Sequence, residues 1–160
     1  MKLRITLGIV LAALCAAVII TVVNLRRDLY LVLRNADTGE LFAAYLLPEN
    51  TEFSVEFTHS VNKSPVRDNY EVRRNRDIYV TETWYYAFGA GVQSELNPGE
   101  TLEYGDDGSM RVTGINKLVP NLIYALGESS DHVLRVNDKE ILLYELCGYN
   151  RIIQMSIMKN

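Results

Sequence analysis

Three ionisable side chains could act together between residues 57 and 88: His59, Asp68 and Glu82. Each stands in a run whose apolar residues recur at every second position, so each is expected on the inward face of a strand. A charge buried on such a face needs a partner or a ligand, because an unpaired charge is too costly to keep there. The sequence therefore predicts that these groups bond to one another or to a bound molecule.

Three kinds of site are open to this cluster. The first is a structural hydrogen-bond network at the end of the core. The second is a binding or catalytic pocket in which a carboxylate orients the imidazole and shifts its pKa. The third is metal coordination by one histidine and two carboxylates, which is chemically possible. The sequence lacks closely spaced ligands, so we expect no metal and no other cofactor.

The turn "HSVNKSP" adds two candidate nucleophiles, Ser60 and Ser64. A serine hydrolase would need one of them within hydrogen-bond reach of His59, with Asp68 orienting the imidazole. Ser64, next to Pro65, is sterically better placed than Ser60, because neighbouring residues of a strand point to opposite faces. No nucleophile-elbow motif surrounds either serine.

The same turn could hold an anion instead. Lys63 and His59 can donate charge-assisted hydrogen bonds to a carboxylate. Downstream, Gly89, Ala90 and Gly91 form a "GAG" motif whose successive amide N–H groups could add an anion-binding nest. The alternative for this motif is a tight turn or bulge with no ligand.

The elements that must position these residues are strands. From residue 28 onward the apolar period is two, and turn residues recur about every eight to twelve positions. This pattern predicts an all-β fold, a small antiparallel sandwich or barrel-like domain. The segment "KLVPNLIYAL" has nearly helical spacing, but its proline favours a turn followed by a strand. The expected strands are 28–35, 40–47, 52–59, 67–73, 77–88, 101–104, 109–114, 122–126, 132–137, 140–146 and 151–158.

A hairpin around the turn would bring the polar groups together. With both apolar faces inward, one register sets Phe57 opposite Tyr70 and His59 opposite Asp68. The next strand alternates so that Glu82 shares the apolar face. The second histidine of this region of the chain, His132, is expected to begin a strand near the surface.

The first 27 residues are of a different kind. Residues 5–23 are uncharged and almost entirely apolar, and at about 1.5 Å per residue they nearly span a hydrocarbon core of roughly 30 Å. The run is longer than a signal-peptide core, and no small-x-small cleavage site follows it. We therefore expect a single transmembrane helix: residues 1–27 form a membrane anchor or an uncleaved signal, and residues 28–160 form an extracytoplasmic β domain at the cell membrane.

Charge excludes one class of partner for that domain, and cysteine content excludes an internal disulfide. Residues 28–160 hold twelve basic and all twenty acidic residues, a formal charge of −8. Such a domain repels nucleic acid and anionic headgroups unless a local basic patch intervenes, and we expect no nucleic-acid partner. The domain holds one cysteine, Cys147, so it has no internal disulfide.

Two strings, "HSVNKSPVRDNYEV" and "VTETWYYAFGAGVQ", carry a family resemblance. Together they resemble the bacterial domain-of-unknown-function family eighteen-fifty, with the likeness extending over roughly residues 30–158. Asp68 stands where the family is expected to have glutamate, and Val92-Gln93 replaces a usual leucine-proline pair after the GAG. The matching positions are His59, Ser60, Lys63, Pro65, Tyr70, Glu82, Gly89 and Gly91.

The resemblance implies a transport context and no known reaction. Members of the family are typically encoded beside, or fused to, the large membrane subunit of TAXI-type TRAP transporters, which import solutes such as organic acids. An accessory protein would touch the membrane subunit or the solute-binding protein, with lipid contact through residues 5–23. Two other functions stay open: a domain that binds a small organic anion, and a serine hydrolase.

Overall fold

The computed structural model describes residues 28–47, 52–61, 63–73, 75–86, 95–128 and 131–159. The predicted anchor, residues 1–27, and the glycine turn at Gly89, Ala90 and Gly91 lie outside these ranges. Within the described ranges, no helix is long and apolar enough to cross a membrane.

The described chain is built from twelve strands and one short helix. In chain order they are β1 (Leu29–Asn35), β2 (Leu41–Leu47), β3 (Glu52–Thr58), β4 (Pro65–Val72), β5 (Ile78–Tyr85), β6 (Thr101–Tyr104), β7 (Met110–Thr113), β8 (Lys117–Leu118), β9 (Leu122–Leu126), β10 (Val133–Val136), β11 (Lys139–Leu142), α1 (Leu143–Cys147) and β12 (Arg151–Lys159). The all-β prediction is confirmed.

The strands form two antiparallel sheets. The smaller sheet has the order β2-β1-β12-β9. The larger sheet has the order β11-β10-β3-β4-β5-β7-β6. The two-residue strand β8 is not part of this order and pairs with β5. The chain's first and last described strands, β1 and β12, are neighbours over their whole length, from Leu29 opposite Lys159 to Asn35 opposite Ile153.

One apolar core lies between the two sheets. Leu31, Leu33 and Ile153 of the smaller sheet and Val55 and Leu134 of the larger one are each fully buried and belong to the same cluster. Their positions are the inward phase of the period-two pattern, so burial of these side chains explains why the alternation predicted the strands.

Most expected strands lie within two residues of the observed bounds, with two exceptions. The strand expected at 77–88 ends earlier in the structure, at Tyr85. The strand expected at 140–146 is wrong in its second half, where the chain forms α1 after a strand that ends at Leu142. Alternation is short there, and a four-residue strand followed by one helical turn buries Leu143 and Cys147 equally well.

The predicted register of the β3–β4 hairpin is wrong by four residues. Val55, not His59, lies opposite Asp68, and Phe53, not Phe57, lies opposite Tyr70. The faces are nevertheless as expected, because a shift by an even number of residues keeps every side chain on its own side. The connection that closes the hairpin, residues 59–64, is six residues long, two fewer than the eight that the predicted register leaves between His59 and Asp68.

A β-bulge in β5 overturns the predicted orientation of Glu82. Tyr70 pairs with Val80, but the next residue of β4, Asn69, pairs with Glu82, so Thr81 is an extra residue. Beyond this bulge the phase of β5 is reversed. Thr83 now lies opposite the inward-facing Asp68, whereas Glu82 shares the outer face with Asn69.

The bulge predicts that two neighbouring single-residue deletions differ greatly. Removing Thr81 leaves every other pair in place and loses the hydrogen bond from Thr81 Oγ1 to the Asn69 carbonyl, 3.2 Å long, so it should cost about 1 kcal/mol of unfolding free energy. Removing Thr83 drives either Glu82 or Trp84 against Asp68 inside the sheet and should cost about 3 kcal/mol or more.

Urea unfolding of the full chain in detergent measures both costs. In a regular ladder without the bulge, either deletion would turn the rest of β5 over and the two costs would be alike. Equal destabilisation by the two deletions would therefore contradict the bulge.

Candidate functional site

The turn that joins β3 to β4 is closed by its own backbone. The His59 N–H donates to the Ser64 carbonyl at 2.8 Å, and the Lys63 N–H donates to the His59 carbonyl at 3.0 Å. His59 Nδ1 also accepts the Val61 N–H at 3.2 Å. In the neutral ring this leaves Nε2–H as the donor, so the turn fixes which nitrogen of His59 can contact a ligand.

Lys63 adopts a backbone conformation that is unusual for its residue type. Its φ is 56°, in the left-handed region, where a side chain costs roughly 1 kcal/mol relative to glycine. Its side chain is exposed, as is that of Ser60. The turn thus presents an ammonium group and a hydroxyl to solvent on a strained backbone.

An open cavity of about 600 Å³ lies against this turn. One wall is the end of β3 with the turn, and the opposite wall comes from the end of β9 and the residue before β10. None of the described residues that line it is acidic, although the domain as a whole is. They are Phe57, Thr58, His59, Ser60, Lys63, Ala125, Gly127 and His132.

His132 forms the inner end of the cavity and corrects the sequence-based expectation. Its side chain is 5% exposed, so it is buried rather than near the surface. The imidazole stacks on Phe57 with ring centres 5.4 Å apart and meets the edge of Tyr124 at 5.3 Å. The sequence carries a signal for this burial, since His132, Leu134 and Val136 share one period-two face.

Behind this wall, Asp68 belongs to a buried hydroxyl network. Thr83 Oγ1 donates to Asp68 Oδ1 at 2.8 Å, and the Tyr70 hydroxyl donates to Oδ2 at 3.4 Å. The hydroxyls of Tyr70 and Tyr124 are 2.6 Å apart. Since Tyr70 lies in the larger sheet and Tyr124 in the smaller, this contact is a polar bond between the two sheets within the core.

Burial controls the protonation of this network. It raises the pKa of the Asp68 carboxyl, and the hydrogen bonds from Thr83, Tyr70 and Tyr124 oppose that rise only in part. Burial, followed by the charge of Asp68, also raises the pKa of Tyr70 above its usual value. These tyrosines are therefore neutral donors, and the carboxylate is their acceptor.

Asp68 does not reach His59. It is paired with Val55, four residues before His59 along β3, which is about 13 Å at the usual rise of a strand. Both of its carboxylate oxygens already accept hydrogen bonds from other residues. The predicted pairing of His59 with Asp68 is wrong, and the serine hydrolase loses the group that would orient its base.

Glu82 lies apart from both His59 and Asp68, on the outer face of the larger sheet. Its Oε1 accepts from Asn69 Nδ2 at 2.7 Å and from the Trp84 indole, and its Oε2 accepts from an Arg111 nitrogen at 2.6 Å. Burial raises the pKa of Glu82, but the hydrogen bonds from Arg111 and Trp84 outweigh it and lower the pKa below its usual value. Glu82 is thus a stably ionised partner of Arg111.

The remaining candidates divide between the turn and the undescribed segment. Ser64 is buried at the end of the turn, with 8% exposure, and Pro65 begins β4 with an exposed side chain. Gly89, Ala90 and Gly91 lie outside the described residues. Among the residues that the structure describes, no group of three or more His, Cys, Asp or Glu side chains could hold a metal ion.

Comparison with known proteins identifies the family. The chain matches the family model described as "Domain of unknown function (DUF1850)" over residues 53–143. The chain therefore belongs to this family, and the matched residues include the turn, Asp68, Glu82 and His132. No curated protein and no solved structure shows significant similarity to the chain.

The buried carboxyl predicts a specific dependence of stability on pH. Because the pKa of Asp68 is raised in the folded state, the folded protein binds more protons than the unfolded chain just above the usual pKa of aspartate. Wild type should therefore lose stability relative to Asp68→Asn as pH rises from about 4.

Thermal unfolding of both proteins between pH 3.5 and 7 measures this difference. Asp106→Asn, which removes a carboxylate from an exposed turn, is the matched control. A constant difference between wild type and Asp68→Asn over that range would show that Asp68 titrates alike in the folded and unfolded states.

Proposed function

We propose that this protein is a membrane-anchored, extracytoplasmic accessory protein of a TAXI-type TRAP solute transporter, which acts through protein contact rather than turnover. Membership of the family supports the transport context, since the resemblance implies it. The contact surface is inferred from the β3–β4 turn, where His59, Ser60 and Lys63 lie together beside an open cavity. The partner is the membrane subunit or the solute-binding protein.

Contact rather than turnover is favoured by where the carboxylates lie. A general base of the Ser-His-Asp type needs an acid that orients the imidazole. Asp68 accepts hydrogen bonds from Thr83 and Tyr70, and Glu82 accepts from Arg111 on the other face of the sheet. Both carboxylates are hydrogen-bonded to other groups of the larger sheet, and the turn is left with groups that suit recognition.

The strained lysine supports a role for its side chain. A residue held at positive φ persists only where something maintains it, and such positions are concentrated at binding sites. Glycine would adopt the φ of 56° without the steric cost. A lysine at this position favours a binding role for its ammonium group, and Arg76 in the next hairpin turn shares the left-handed conformation with a φ of 72°.

A second function is favoured by the cavity itself. Its lining combines the Lys63 ammonium, two imidazoles and the Ser60 hydroxyl with no acidic residue among those described. In a domain of charge −8 this is an arrangement that suits a small organic anion, because charge-assisted hydrogen bonds to a carboxylate are the strong ones. The cavity volume of about 600 Å³ is within the usual size of ligand pockets.

The contact proposal is tested with Lys63→Gly in the full chain, affinity-tagged and expressed with the transporter subunits. The variant should be as stable as wild type or more so, since the strain is relieved. It should nevertheless recover much less of the membrane subunit or solute-binding protein. Immunoblotting of the captured subunits measures the loss.

Lys139→Ala is the matched control, because it removes an exposed lysine at the start of β11, next to a different turn. It should capture the subunits as wild type does. If wild type itself captures neither subunit, the accessory role is wrong. If Lys63→Gly captures as much as wild type, the turn is not the contact surface.

The anion-binding function makes a different prediction. A panel of small mono- and dicarboxylates should raise the unfolding temperature of wild type, because a ligand that binds only the folded state stabilises it. Lys63→Gly and His59→Ala should each abolish the shift. Equal shifts in wild type and both variants would contradict binding in this cavity.

A further inference from the structure

The outer face of the smaller sheet exposes large apolar side chains. On its four strands the residues that alternate with the core point away from it, and five of them are 40% to 52% exposed. We call this set the apolar sheet face: Leu41, Leu46, Ile123, Ile152 and Met158. Leu46, Tyr30 and Met158 lie side by side across three strands, whereas Ser156 and Gln154 separate them from Ile123 and Ile152. Exposed apolar side chains grouped on one face of a sheet are a mark of an interaction surface.

A groove runs into this face. It has a volume of about 270 Å³, and Tyr30 and Met158 form part of its walls. Val32, at only 1% exposure, is nearly covered by its neighbours there. The charged groups in its lining are both cations, Arg34 and Lys159.

The charge of the smaller sheet sets it apart from the rest of the domain. None of the twenty acidic residues lies in β1, β2, β9 or β12, which carry three basic residues. The larger sheet instead covers its outer face with ion pairs, including Arg67 with Glu56 at 2.6 Å. The smaller sheet is thus the side that anionic headgroups would repel least.

The apolar run, residues 5–23, is joined to this sheet by a short segment of chain. Residues 24–28 separate the apolar run 5–23 from β1, the second strand of the smaller sheet. Five extended residues reach at most about 18 Å, so a bilayer that holds the run must lie close to the sheet. Residues 24–28 also contain Arg26 and Arg27, which suit an anionic surface.

We propose that the apolar sheet face rests on the lipid surface beside the anchor, its apolar side chains entering the headgroup boundary and Arg34 and Lys159 facing anionic headgroups. The inference rests on the proposed anchoring by residues 5–23. In this orientation the cavity of the β3–β4 turn lies at the rim of the lipid-facing surface, because Ala125, which lines the cavity, is paired with Ile152 of the apolar sheet face.

Lipid contact is measured on the full chain in vesicles of phosphatidylcholine and phosphatidylglycerol, with and without nitroxide-labelled lipid. Leu46→Cys and Met158→Cys, each combined with Cys15→Ser, carry an environment-sensitive fluorophore on the face. Tyr104→Cys in the same Cys15→Ser background, 64% exposed on the larger sheet, is the matched control. Cys147 can stay, because burial raises the pKa of its thiol to about 11 and the thiolate is the form that reacts.

Lipid contact predicts that the fluorophores at Leu46 and Met158 shift to the blue and lose most of their emission to the nitroxide lipid, whereas the one at Tyr104 does neither. A blue shift without nitroxide quenching would mean that a second copy or another protein covers the face, and would overturn the proposal. Absence of both effects would overturn it as well.

The anchor is tested separately by labelling the native Cys15. Quenching at Cys15 together with none at Leu46 and Met158 leaves the anchor intact and rejects only the lipid contact of the sheet. Absence of quenching at Cys15, Leu46 and Met158 rejects both the anchor and the lipid contact of the sheet. Absence of quenching at Cys15 together with quenching at Leu46 and Met158 rejects the anchor alone, and the sheet then binds lipid by itself.

Discussion

The extra residue in β5 decides which carboxylate faces the core. Without Thr81 as a bulge, the ladder would continue regularly from the pair Tyr70–Val80 and set Glu82 directly against Asp68 between the sheets. Two carboxylates in contact in an apolar interior would repel one another, and one would have to stay protonated. The bulge instead brings a hydroxyl, Thr83, to the inner carboxylate and moves Glu82 out to Arg111.

The polar interior follows from that choice. Once Asp68 has Thr83 and Tyr70 as donors, the Tyr70 hydroxyl can meet the Tyr124 hydroxyl at 2.6 Å and connect the sheets. Tyr124 in turn supports the ring of His132, which stacks on Phe57 and closes the inner end of the cavity. The site thus stands on a network of satisfied buried groups, and its own polar side chains come from the turn.

Much of the fold could be predicted from the sequence, because most strands bury one face and the period of two is then visible. Burial also made the inward faces of β3 and β4 predictable. The register was not, since a shift by four residues leaves every face unchanged and costs the pattern nothing. The bulge at Thr81 could not be predicted, because both phases of β5 contain residues that a pleated surface accepts and a single threonine carries no signal for a bulge.

For the candidate site, the turn residues could be predicted from residue type. The place of His132 beside the turn could not, because it depends on the tertiary pairing of β10 with β3.

In the proposed function the β3–β4 turn is a recognition surface. Site-specific photo-crosslinking tests it most directly, with benzoyl-phenylalanine in place of Ser60 in the full chain, irradiated in membranes that contain the transporter subunits. A recognition surface at the turn should give a crosslink to one transporter subunit from position 60 and none from position 104, on the edge strand β6 of the larger sheet. Crosslinks from position 104 with none from position 60 would contradict it.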